Sequence, residues 1–437
     1  MLSNKKQKHL RKELKLFDVY AIATGTTLSA GFFLLPGLAA QQAGSAIVLC
    51  YLIAVIPLIP AMFSMIELMT AMPRAGGMYY YLDRTLGPMF GTLGGIGTWL
   101  ALILKVSFAL IGMGAYISLF LPSVDILPVA IILAVLLGVI NLFSTKKSGK
   151  LQVFLVIGLL AILSVFLGGG VTEINLENFR GFFDPGHSAI ISTAGMVYIS
   201  YVGITNVASL SEEVKNPERN LPLGVILALS TAVLIYGVGT AVIVGVMPAE
   251  ELAGNLTPVA SAAKYFLGDY GVGFLAVAAI LAFISVANAG TMSASRYPLA
   301  MSRDFIMPHS FKQINKFGTP TVSIVVTVSV IVAVLIFLDP VKIAKLASSF
   351  QLILYGMICI AVIVMRESRI ESYDPGFKSP FYPWMQIFGV VSALWLIGEM
   401  GLFSILFSLG LILAGFLWYW FYAREKNRKE RSYLPYF

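Results

Sequence analysis

The chain has 437 residues, of which 58% are hydrophobic and 12% charged, with net charge +8 and mean hydropathy +0.86. Soluble proteins carry roughly 25% charged residues, so these values exclude a soluble enzyme, or one with a single anchor, and describe a polytopic helical membrane protein. The bulk basic balance gives no reason to expect a nucleic-acid partner; what matters in such a chain is where Lys and Arg lie.

Met1–Lys15 is a basic, polar leader that runs directly into a full-length span, which argues against a cleavable signal peptide. At about 20 apolar residues per span, the pattern predicts twelve spans: 16–42, 44–71, 90–120, 125–144, 150–168, 188–211, 222–247, 271–298, 320–338, 343–365, 383–400 and 402–422, with Gly398–Gly401 as the turn between the last two. Span 1 contains Thr24-Gly25-Thr26-Thr27-Leu28-Ser29-Ala30-Gly31, followed by Pro36-Gly37, where an uninterrupted apolar helix is the norm. Backbone that leaves the helix inside a bilayer must find partners, since each unsatisfied group costs several kcal/mol. A polar solute held at mid-membrane is the usual reason, which makes a transporter the leading idea. Span 6, Tyr198-Ile199-Ser200-Tyr201-Val202-Gly203-Ile204-Thr205-Asn206, is the second interrupted span. Two breaks five spans apart predict two five-helix units of opposite orientation, 16–168 and 188–365, with the site between them. Residues 169–187 form an external loop, 366–382 a cytoplasmic loop, 383–422 two helices outside the repeat, and 423–437 a basic tail suited to anionic lipid.

With the amino terminus inside, every Lys and Arg falls in cytoplasmic segments except Arg180, Lys264, Lys342, Lys345 and the intramembrane Lys105. This asymmetry predicts both termini in the cytoplasm and a location in the cytoplasmic membrane. Cys50 and Cys359 lie in apolar stretches and read as small core residues. None of the three His has metal-ligand spacing, and the absence of a P-loop argues against ATP-driven pumping.

Several stretches together resemble one family, the amino acid–polyamine–organocation permeases. Ser29-Ala30-Gly31 stands where that family has Gly-Ser-Gly, followed by Phe32-Phe33-Leu34-Leu35-Pro36-Gly37. Span 2 carries Ile66-Glu67-Leu68 and Met72-Pro73-Arg74-Ala75-Gly76-Gly77-Met78-Tyr79, and span 6 is followed by Ser211-Glu212-Glu213-Val214-Lys215-Asn216-Pro217-Glu218-Arg219-Asn220-Leu221-Pro222, the most specific stretch. Ala287-Asn288-Ala289-Gly290 and Met301-Ser302-Arg303-Asp304 continue the pattern, so that the resemblance covers roughly 15–420. It implies the leucine-transporter-like fold, a 5+5 inverted repeat with broken helices 1 and 6, and secondary transport of amino acids or related amines.

The resemblance also places a site. A zwitterion's carboxylate wants free N–H groups at the positive end of a half-helix, and its ammonium wants carbonyls at a negative end. Matching positions assign the carboxylate to the N–H groups of Ser29, Ala30 and Gly31, and the ammonium to carbonyls near Thr27, Ile199 and Val202, with Gly203 allowing the second break. Span 3 approaches the solute near Val106 and Ala109. Thr205 stands where some members have an acidic residue, which weakens a cationic substrate, and Ile199 where some are aromatic. Tyr198 and Tyr201 are then candidates for an aromatic lid, or else pack in the interior with satisfied hydroxyls.

Lys105, at mid-span in Leu104-Lys105-Val106, is costly unless it faces a cavity or a partner. It is a candidate for proton coupling or for holding an acidic group of the substrate; the alternative is a lysine tied to carbonyls or a carboxylate with no transport role. Glu67 is a second coupling candidate, or a structural acceptor. Some family members place a lysine on helix 5; here Gly158 takes that place, so that proton mechanism does not transfer. A sodium ion between spans 1 and 8, at the Gly25 and Leu28 carbonyls and Ser285, competes with a dry packed contact. The expected function is amino acid transport by alternating access, with proton symport leading and sodium open, and no cofactor. An amine or polyamine carrier, an exchanger and a transport-inactive sensor are the alternatives.

Overall fold

The computed structural model describes residues 12–74, 77–143 and 149–425, without the side chains of 149–152 and Thr205. Most of the basic leader, the Ala75-Gly76 pair and the tail from 426 onward lie outside the described residues. What is described is helical: α1 (Leu16–Thr27), α2 (Ala30–Phe33), α3 (Leu35–Ala43), α4 (Ile47–Ala71), α5 (Gly77–Leu86), α6 (Pro88–Ser118), α7 (Ile126–Phe143), α8 (Gly149–Val171), α9 (Gly186–Val197), α10 (Pro217–Val246), α11 (Ala249–Leu252), α12 (Pro258–Arg303), α13 (Thr321–Phe337), α14 (Pro340–Glu367), α15 (Trp384–Glu399) and α16 (Leu402–Trp418). Among the described residues nine stretches are long and apolar enough to cross a membrane, and α13 and α15 are shorter apolar helices. Apolar side chains such as Ile132, Phe154, Leu234, Phe337 and Leu394 stand exposed around them, a surface that suits acyl chains and not water.

The interruption in span 1 divides it into α1, α2 and α3. A 3-10 turn, Gly44–Ala46, then leads into α4, with Gly44 at φ 50°. Gly401, at φ 95°, makes the sharp turn between α15 and α16, inside the Gly398–Gly401 stretch expected to turn. A left-handed φ is open to glycine without a Cβ clash. Span 6 changes character: α9 stops at Val197, and the backbone continues as a 3-10 run, Tyr198–Glu213. Such runs rarely exceed a few residues and mark strain or function. The motif after it is only in part a connector, since Pro217 opens α10, earlier than the 222 expected. Proline is preorganised for a first helical turn, where its missing N–H has no partner to lose. Three features carry no counterpart in the expected spans: α5, the one-turn α11, and an extension of α12 back to Pro258 across a kink at Gly268 (φ 64°).

Helix α6 runs through the middle, packed against α12, α14 and α5, and is almost entirely buried, whereas α7 and α16 are largely exposed. Helix α1 packs on α10 and on the 3-10 run. At its start Leu14 pairs in parallel with Val214: the Glu13 and Leu14 N–H groups donate to Glu213 O at 2.9 and 3.0 Å, and the Lys215 N–H donates to Leu14 O at 2.8 Å.

Candidate functional site

The candidate site is the place where α1 ends. Its last bond runs from the Leu28 N–H to Thr24 O at 2.8 Å. Leu28 (φ −77°, ψ 89°) and Ser29 (φ −156°, ψ −119°) then leave the helix, and α2 begins at Ala30. Ser29 O accepts from the Phe32 and Phe33 N–H groups at 2.9 and 3.1 Å. Ala30 and Gly31 therefore occupy the first turn of a new half-helix, where N–H groups have no acceptor within the helix. Leu34 keeps right-handed helical dihedrals, so α2 runs on into α3 with only a kink. The Ser29 hydroxyl is buried with no hydrogen-bond partner, as is that of Thr24. Small residues, a hydroxyl without a partner and free amides thus meet at one point, and this is an arrangement that fits a carboxylate.

The 3-10 run lies directly against this break. A Cβ on Gly31 would come within 2.5 Å of both Cβ and Oγ of Ser200, and a Cβ on Gly203 would collide with the Thr26 and Thr27 backbone. The Thr26 hydroxyl donates to Gly203 O at 2.8 Å as well as to Ile22 O in its own helix. Thr27, Ser29, Ala30, Gly31, Ile199, Val202 and Gly203 are all buried here. Val106 belongs to the contact between α6 and α12, where a Cβ on Gly290 would meet its Cγ2, and Ala109 is fully buried in the same helix. The Tyr201 side chain turns to the α4 and α10 side: its hydroxyl donates to Tyr51 O at 3.0 Å and its ring packs edge-on to Tyr236. Tyr198 packs edge-on to Tyr355, and its buried hydroxyl has no partner. The Thr205 side chain lies outside what is described.

Four hydroxyl side chains that the sequence reading did not single out hold the broken backbone. Tyr51 donates to Gly31 O at 2.6 Å, and Tyr116 to Phe33 O at 2.8 Å. The Tyr236 hydroxyl lies 2.8 Å from Thr27 O and 3.0 Å from Ser200 O. Ser348 accepts from the Ile199 N–H at 2.9 Å and donates to Met196 O at 2.8 Å. Their signal in the sequence is a lone hydroxyl within an apolar span, since a buried phenol needs an acceptor; the carbonyl each would find was not readable.

The buried Lys105 ammonium donates to Thr26 O at 2.9 Å, at the carbonyl end of α1. That end carries the negative pole of the helix dipole. Glu67 sits elsewhere. Its carboxylate accepts from Arg366 Nε and Nη2 at 2.8 and 2.7 Å, from the Tyr373 hydroxyl at 3.0 Å and from the Ser379 N–H at 2.7 Å. This network ties α4 to α14 and to the connector after it. Burial, then the adjacent Glu67 carboxylate, pushes the Tyr373 phenol up, so it stays a donor. Gly25, Leu28, Gly158, Leu159, Ala282 and Ser285 line a cavity of about 150 Å³ between α1, α8 and α12. Among the described residues no cluster of His, Cys, Asp and Glu could hold a metal ion.

The chain is 27% identical to the branched-chain amino acid permease BcaP of Bacillus subtilis (strain 168), over 97% of this chain and 95% of that protein. It is 28% identical to the methylthioribose transporter of the same organism, with the same coverage. It is 27% identical to the vacuolar cationic amino acid transporter 4 of Arabidopsis thaliana, over 84% of this chain and 65% of that protein. The family model described as amino acid permease matches residues 14–437. With the apolar helices and the interrupted first span, that match makes this chain a multi-pass membrane transporter, a member of the amino acid permease family within the amino acid–polyamine–organocation superfamily.

Proposed function

We propose that this protein is a secondary permease that carries amino acids across the cytoplasmic membrane by alternating access around the break in its first span. The observation that carries this reading is the meeting of the two interruptions: α1 ends where the 3-10 run presses on it, with Gly31 against Ser200 and Gly203 against Thr26. The α-carboxylate binds the Ser29, Ala30 and Gly31 amides, and the α-ammonium binds carbonyls of Thr27, Ile199 and Val202. Neither needs a charged side chain, because the half-helix ends supply the field. Twelve spans in a 5+5 inverted repeat with two further helices, and both termini in the cytoplasm, complete the proposal; the positions of Lys and Arg support that orientation.

The proton is the coupling ion in this reading, and Lys105 at the break is the titratable group placed to carry it. The relatives' names divide among branched-chain amino acids, methylthioribose and cationic amino acids at nearly the same identity, so identity alone does not choose a side-chain class. Uptake of labelled amino acids into proteoliposomes tests the proposal: accumulation should rise with an inward proton gradient and not with a sodium gradient. Binding without flux would replace it with a sensor, and counterflow indifferent to any gradient with an exchanger.

A further inference from the structure

We infer that Lys105 is a charge filter, which makes this permease select amino acids with neutral or acidic side chains and reject those with cationic ones. Its ammonium is buried and fixed to Thr26 O at 2.9 Å, next in sequence to Thr27, whose carbonyl is assigned to the substrate ammonium. Among the described residues no carboxylate lies within 4 Å of it, and Thr26 O is its hydrogen-bond acceptor. The acidic groups of the elements that form the break stand away from it. Asp18 is in the first turn of α1, Glu212 and Glu213 close the 3-10 run, and Glu67 on the neighbouring α4 is held by Arg366. In its protonated state, the one that meets the incoming substrate together with the coupling proton, Lys105 therefore gives the break one positive charge with no ionic partner among the described side chains.

Granted that the break binds an amino acid, that charge reads the net charge of the solute. A neutral amino acid arrives as a zwitterion: repulsion of its ammonium and attraction of its carboxylate offset each other. A lysine or arginine substrate adds a second, uncompensated cation in a site of low dielectric, where like charges interact far more strongly than in water. An acidic side chain adds an anion that Lys105 attracts. The preference against cations should be at least about tenfold, the change that ~1.4 kcal/mol of repulsion gives.

The test is uptake by proteoliposomes of wild type, Lys105→Met and Lys105→Arg, with leucine, serine and glutamate against arginine and lysine as labelled probes. Wild type should take the neutral probes at least about tenfold better than the cationic ones. Lys105→Met should raise the cationic-to-neutral ratio by a similar factor, and Lys105→Arg should leave it as in wild type. Should Lys105→Met lose all uptake, competition on the wild type decides: inhibition of neutral uptake by arginine as strong as by serine overturns the filter. An unchanged ratio in an active Lys105→Met protein overturns it as well. Wild type that takes up none of the probes would instead sink the amino acid transport reading.

Discussion

The Tyr236 hydroxyl lies 2.8 Å from the carbonyl oxygen of Thr27 and bridges to Ser200 O at 3.0 Å, so one phenol on α10 spans both interrupted segments. Removing the hydroxyl as Tyr236→Phe takes away the single O–H that the two buried carbonyls share, while the ring packing against Tyr51 and Tyr201 stays. A buried acceptor without its donor costs about 1–3 kcal/mol. Thermal unfolding of the purified protein in detergent should show a lowered Tm, with slower uptake; a wild-type Tm and rate would show that the bridge is dispensable.

The close approach at Gly31 leads to a second expectation. Any side chain there meets Ser200 at 2.5 Å, on Cβ and Oγ, with Cα only 2.6 Å away. Overpacking costs about 1–3 kcal/mol in an ordinary core, and here it also forces the two breaks apart. Gly31→Val and Gly31→Leu should reach the membrane at normal levels and transport nothing. Uptake at the wild-type rate in either variant would remove Gly31 from the site.

For the Glu67–Arg366 pair the order of damage is the prediction. Arg366→Met strands a carboxylate that is fully buried, which costs about 3–5 kcal/mol in comparable pairs. Glu67→Gln keeps an acceptor for the Ser379 N–H and should be milder. Chemical or thermal unfolding of both variants checks the ranking. Glu67→Gln should retain stimulation of uptake by a proton gradient, because the carboxylate is engaged by α14 and its connector and not by the break.

Lys105 should behave in the opposite way. Lys105→Gln preserves a donor for Thr26 O but cannot take up or release a proton. Its uptake should lose dependence on the imposed pH gradient, measured as initial rates across a pH series on both faces of the vesicle. A wild-type profile would assign coupling to another group.

Much of this architecture was readable because membranes leave few choices. An apolar run of the right length declares a helix, and Gly, Thr and Ser in the middle of one declare an exception, which is why the break between Thr27 and Ala30 stood out in the sequence. What was not readable is what satisfies that break. Tyr51, Tyr116, Tyr236 and Ser348 come from four different helices, and which carbonyl each reaches depends on helix packing, which hydropathy does not encode. The cavity beside Gly25, Leu28 and Ser285 is a similar case. The sequence left an ion and a dry contact as alternatives there, and the void of about 150 Å³ depends on how α8 sits against α1 and α12. The start of α10 was missed for a local reason: Pro217 and Pro222 suggest a loop by composition, but one sits in the first turn and the other within the helix.

The pairing of Leu14 with Val214 has a mechanical consequence. The α1 segment and the 3-10 run are fastened twice, at the break through Thr26 and Gly203 and again at their far ends by three backbone hydrogen bonds. Two rods pinned at both ends form a closed frame: neither can swing out alone without shearing one set of pins. If this half of the molecule rocks, it rocks as a single yoke, and a load placed on either arm is felt at the Thr26 carbonyl that Lys105 holds.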